Sequence, residues 1–184
     1  MSEALIVRHC SPTLAGLKTA NMFNCKYTDK AELMKSIRSV NNMLKGKGVR
    51  MIPLRLANGS ALIYVYRPKK LEDDLKSPAS EAILSSCGYD EGTAARLIRE
   101  LMARLGGSAD FPHEIGLFLG YPPEDVRCFM CDRNRECRCV GCWRAYTNGS
   151  EAEKTFARFK KCTEVYCMKL REGYPLSKLT VKTA

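Results

Sequence analysis

Apolar residues recur along this chain at two spacings, and the switches between them mark out its elements. Ala4 to Cys10 (ALIVRHC) is a short β-branched run that predicts a strand. Ser11-Pro12 then offers an N-cap and a first-turn proline for a helix through Phe23. Leu33, Ile37, Val40 and Leu44 return at helical spacing, with Gly46 and Gly48 as stop signals. Two strand-like runs, MIPLRL and ALIYVYR, flank Ala57-Asn58-Gly59-Ser60, and Asn-Gly between such runs predicts a β-hairpin over Met51 to Arg67. Beyond Pro68 the pattern turns helical: Ala94, Leu97, Leu101 and Leu105 form one stripe ending at Gly106-Gly107. Phe111-Pro112 starts a short helix that Gly120 stops, and Pro122-Pro123-Glu124-Asp125 restarts one with acids in its first turn, where the helix dipole favours them. Cys128 to Cys142 has no period and predicts a loop that is ordered only if something ties it down. Glu151 to Arg171 reads as a long helix with Ala152, Phe156, Phe159, Thr163, Tyr166 and Leu170 inward, capped by Gly173.

These elements predict an α+β fold: a small antiparallel sheet, made from the N-terminal strand plus the β-hairpin, packed by about six helices. With 184 residues, 45% of them apolar, the chain is expected to form a single domain over 1–184 with a true core. No run approaches the roughly 20 apolar residues that span a bilayer, and Met1 to Cys10 lacks the pattern of a secretion signal, so a soluble, cytoplasmic protein is expected. In that setting the ten cysteines read as reduced thiols or metal ligands more readily than as a disulfide scaffold. Charge is unevenly spread. Residues 1–70 hold 13 Lys and Arg against 3 Asp and Glu, whereas residues 71–120 hold 4 against 9. The basic excess suits an acidic protein partner or a nucleic acid, although no aromatic-interleaved binding motif accompanies it.

Four segments, HCSPTLAGLKTANMF, YVYRP, FPHEIGLFLGYPPEDV and CVGCW through KKCTEVYC, together resemble an uncharacterised family of anaerobic Gram-positive bacteria, known only as a domain of unknown function. The resemblance spans almost the whole chain and brings no activity with it. It implies iron or redox housekeeping, because members are encoded near ferrous-iron transport and flavodoxin genes; an acidic redox protein such as a flavodoxin is the partner this implies. The chain departs from the family pattern at Arg144-Ala145, where members carry Lys-Val, and at Cys128 and Cys131, which read as local additions.

Candidate chemistry centres on sulfur. Cys10 ends the expected strand one residue before a helix N-terminus, where unpaired N–H groups stabilise a thiolate; its competing use is as a small buried hydrophobe. Strand alternation turns His9 away from it, while Lys18 and Arg67 could supply positive charge or hold an anionic ligand. His113 beside Glu114 offers a base and its orienting carboxylate, so a Cys10, His113 and Glu114 set would meet the minimum for nucleophilic catalysis if the fold joined them. Backbone or water contacts are the plainer use of His113 and Glu114 in a first helical turn. The second group is Cys128-x2-Cys131-x5-Cys137-x-Cys139-x2-Cys142. Two C-x-x-C hooks can present four thiolates to zinc or iron, or form reversible disulfides. A rival metal set joins Cys139 and Cys142 to Cys162 or Cys167, which stand about 140° apart on a helix and so cannot both face one ion. No phosphate-binding loop is present, which excludes P-loop nucleotide hydrolysis. Three functions remain open: a thiol-based metal or redox accessory protein, a cysteine-nucleophile enzyme, and a basic binding module without chemistry.

Overall fold

The computed structural model describes residues 1–107 and 111–182. Two compact units are found, Met1–Lys69 with Lys161–Ala184 and Lys70–Lys160. We call them units 1 and 2.

The first ten residues depart from the pattern-based expectation. They form a helix, α1 (Glu3–Leu14), and the strand lies later, at β1 (Ala20–Lys26). Ser2 is the N-cap, its side chain accepting from the Leu5 N–H at 3.3 Å, and Glu3 sits in the first turn. Ile6, Val7, Cys10 and Leu14 then fall on one buried face, a helical spacing that outweighs the strand preference of the β-branched run. Pro12 lies inside the helix near its end, where one lost hydrogen bond costs least. Gly16, at φ 76°, lets the chain leave α1. In β1, Phe23 and Cys25 join the core while Asn24 and Lys26 are exposed.

The next helix and the hairpin of unit 1 follow their sequence signals. Helix α2 (Lys30–Met43) is capped by Asp29, which accepts from the Ala31 N–H, and buries Leu33, Ile37 and Val40. Strands β2 (Arg50–Ala57) and β3 (Ser60–Tyr66) form the hairpin, with Asn58 and Gly59 both at positive φ as a primed turn requires. The sheet is antiparallel in the order β1-β3-β2, so the continuous apolar run of β3 is the central strand. Pro53 and a register shift before Arg55 lie on the edge strand β2, where a missing N–H is tolerated. Ala61, Ile63 and Val65 face a core completed by Ile6, Val7, Cys10, Leu14, Leu33, Ile37, Leu176 and Leu179.

Unit 2 is mainly helical. After α3 (Pro68–Leu75), whose first two residues belong to unit 1, come α4 (Pro78–Ser86), α5 (Ala94–Gly107), the short α6 (Ile115–Phe118) and α7 (Pro123–Cys131). A two-stranded ribbon of β4 (Cys139–Val140) and β5 (Arg144–Ala145) follows, then α8 (Gly149–Arg171), whose last residues belong to unit 1, and α9 (Leu176–Leu179) in unit 1. The architecture is thus α+β with an antiparallel sheet, as its pattern predicts, though its third strand is Ala20–Lys26 and not Ala4 to Cys10.

Candidate functional site

The thiols of the two units live in different surroundings. Cys10 lies mid-helix on the inner face of α1 and is 0% exposed; burial pushes its thiol well above the ordinary range, and the nearby Lys18 ammonium only partly opposes this. Its place is therefore inside a helix, not at a strand end beside a helix N-terminus. His9 is exposed and stacks on Phe23 with ring centroids 5.3 Å apart. Lys18 is buried as well. Arg67, 1% exposed, donates to four backbone carbonyls: Nε to Thr13 at 2.7 Å, Nη2 to Leu14 at 2.7 Å and Val181 at 2.9 Å, and Nη1 to Lys47 at 3.3 Å. Thr13 and Leu14 end α1, where carbonyls lack helical partners and the dipole is negative, so a guanidinium suits the position. Cys25 is buried; Cys162 is half-buried, its thiol pushed up to about 11 by burial, and Cys167 packs against the unit 1 core.

His113 and Glu114 belong to unit 2, whereas Cys10 belongs to unit 1. The His113 ring lies 5.7 Å from Phe111 and 5.2 Å, edge-on, from Phe129. Glu114 is buried, accepts from the Tyr89 hydroxyl at 3.0 Å and lies 4.0 Å from Arg104, whose guanidinium also covers the Tyr89 ring at 4.1 Å. The thiol near this carboxylate is Cys87, raised by burial first and by Glu114 second. No motif in the sequence singles out Cys87, Tyr89 or Arg104, which converge only through the fold.

The cysteine-rich segment does have something to tie it down. Asp125, in the first turn of α7 and 3% exposed, accepts four hydrogen bonds from residues about twenty positions on. Trp143 Nε1 donates to Oδ2 at 2.9 Å; the Tyr146 N–H (2.8 Å), the Thr147 N–H (3.1 Å) and the Thr147 hydroxyl (3.0 Å) donate to Oδ1. Trp143 is wedged between Tyr121 at 5.1 Å and Phe156 at 4.5 Å. Gly141 is required by this packing, since a Cβ there would collide with the Phe156 ring. Around this anchor, Cys139 pairs with Ala145 and Val140 with Arg144, and Arg144 reaches the Arg133 carbonyl at 2.8 Å.

None of the five cysteines of the segment is buried: Cys131 and Cys142 are exposed, and Cys128, Cys137 and Cys139 are half-buried. Arg135 Nη1 donates to Cys128 Sγ at 3.8 Å. The Cys139 thiol is raised by burial first and then by Glu153, Cys137 and Asp125. Among the described residues, no three Cys, His, Asp or Glu side chains are set to hold one metal ion.

The family of unknown-function proteins termed DUF3793 matches the chain over residues 6–180. The chain belongs to that family. No curated protein and no solved structure gives a significant match. The family match takes in every thiol named here and both units. No described helix is long and apolar enough to cross a membrane.

Proposed function

We propose that this DUF3793 member is a thiol-based accessory protein in redox or metal handling, and that its working groups are Cys128, Cys131, Cys137, Cys139 and Cys142. The observation that carries this reading is a set of five cysteines, none of them buried, on a segment pinned by a buried carboxylate. A thiol must be reached, and be able to ionise, before it can exchange or ligate. Cys10 meets neither condition as well, because burial opposes its ionisation.

Dithiol redox exchange is the first form of this function, since it needs only two sulfurs at a time. Metal binding is the second, and it rests on the two C-x-x-C spacings, Cys128 with Cys131 and Cys139 with Cys142, whose thiolates could hold a zinc or ferrous ion. The test is protein purified anaerobically, with bound zinc and iron measured and zinc titrated into metal-free protein. Stoichiometric metal lost in Cys139→Ser but retained in Cys10→Ser supports the metal form. Metal-free protein whose segment thiols oxidise reversibly supports the redox form. Segment thiols that neither bind metal nor oxidise refute both.

A further inference from the structure

Cys128 and Cys131 stand one turn apart at the end of α7, and the chain immediately afterwards turns back so that Arg135 reaches Cys128. Asp132 makes the turn: its Oδ1 accepts from the Asn134 N–H at 2.9 Å and its carbonyl from the Arg135 N–H at 3.2 Å. That turn is what delivers the Arg135 guanidinium to Cys128 Sγ. The contact sets a cation beside a sulfur at the helix C-terminus, the end where the dipole favours positive charge. The surroundings continue the theme. Residues 126–146 contain Arg127, Arg133, Arg135, Arg138 and Arg144 against only Asp132 and Glu136, and all five arginines are exposed. Arginine is the side chain whose fork matches a carboxylate.

Building on the thiol reading above, we infer that Cys128 and Cys131 form an exchanging dithiol whose substrate is an anionic, carboxylate-bearing disulfide. The Cys128 sulfur, having lost its proton to solvent, attacks one sulfur of the substrate. The substrate S–S bond breaks, a Cys128–substrate disulfide forms, and the departing thiolate takes up a proton. Cys131 then attacks the Cys128 sulfur and expels the second substrate thiol. The protein pair loses two electrons and becomes a disulfide, while the substrate disulfide gains them and becomes two thiols. Side chains three apart on a helix have Cβ atoms about 5–6 Å apart and a disulfide needs about 4 Å, so the last turn must tighten. A final turn ending at an extended residue, Asp132, is where a helix does so at least cost.

The test uses the full reduced chain and three probes: glutathione disulfide (anionic), bis(2-hydroxyethyl) disulfide (neutral) and cystamine (cationic). Mixed-disulfide formation at Cys128 is followed by peptide mass spectrometry and each rate is divided by that of free cysteine with the same probe. The expected result is an advantage of about tenfold for glutathione disulfide over the neutral probe, with cystamine slowest. About 0.5 M salt shrinks the Debye length and should remove most of that advantage, as should Arg135→Gln. In Cys131→Ser the mixed disulfide should accumulate, whereas the native chain passes on to the internal bond. Equal corrected rates for the three probes, or an unchanged preference in Arg135→Gln, overturn the anionic substrate while leaving dithiol exchange intact. Failure of Cys128 to react with any probe overturns dithiol exchange at this pair.

Discussion

In each unit one buried charged side chain gathers backbone groups, Arg67 in unit 1 and Asp125 in unit 2, and the two have opposite signs and opposite tasks. In unit 1, Arg67 collects carbonyls from the end of α1, from Lys47 and from Val181. In unit 2, Asp125 collects N–H and O–H groups from Trp143, Tyr146 and Thr147. The sulfur follows the same division. Unit 1 closes Cys10 and Cys25 into its core and keeps Cys162 and Cys167 half-buried on α8, while both fully exposed cysteines, Cys131 and Cys142, lie in unit 2 on the segment that Asp125 holds. A cation that gathers acceptors can seal helix and strand ends inward; an anion that gathers donors can pin an irregular segment without covering it. The lesson is that buried charge fixes backbone in both units, and only in one does the fixed backbone carry accessible chemistry.

The strongest challenge to this comparison is removal of the unit 1 charge. Arg67→Met removes a donor from four carbonyls, of which Thr13 and Leu14 keep the Gly16 and Val181 N–H groups, and should cost about 2–4 kcal/mol of stability by chemical denaturation, with Arg67→Lys recovering only part, because one ammonium cannot reproduce the fork. Asp125→Ala should cost no more, about 2–4 kcal/mol, since its donors lie nearer the surface and water can replace some of them. Its sharper signature is local: emission from the single tryptophan, Trp143, should change, and alkylation of Cys139 and Cys142 should accelerate. A loss of stability in Asp125→Ala with both of those unchanged would break the idea that Asp125 organises the thiol segment. Gly141→Ala forces the Phe156 ring to move and should cost about 1–3 kcal/mol, with the same change in tryptophan emission. The smallest effect concerns Cys162. Its thiol is held up at about 11 by burial, above the ordinary thiol range, so the folded state keeps its proton longer than the unfolded chain. That contribution to stability is complete below the unfolded pKa and is lost as pH rises through about 11. Cys162→Ser should therefore flatten the alkaline fall in stability between those values; an identical fall in both proteins would refute the assignment.

Much of the fold could be read from the residues because its signals are local. The Asn58-Gly59 turn, the Leu33, Ile37, Val40 stripe and the acids after Pro123 each specify an element within a few positions. The N-terminus misleads because two sound signals compete there. ALIVRHC has strand propensity and Ser11-Pro12 resembles a helix start, yet Ser2 is the cap and Gly16 the stop, and burial of Ile6, Val7, Cys10 and Leu14 decides for the helix. At the candidate site the cysteines were visible as a pattern, but their setting was not. The donors to Asp125 lie about twenty residues away, and Cys87 meets Glu114 and Arg104 only in the folded chain. Sequence spacing reports neighbours along an element; it is silent on which distant group a buried carboxylate will choose.

The contrast between sealed and displayed sulfur is tested most directly by pulsed alkylation of the native, reduced, metal-free chain, with each cysteine quantified by peptide mass spectrometry. Cys131 and Cys142 should label first, Cys128, Cys137 and Cys139 next, and Cys10 and Cys25 only on the timescale of unfolding. Labelling of Cys10 ahead of the segment, or uniform protection of all five segment thiols, would contradict the account.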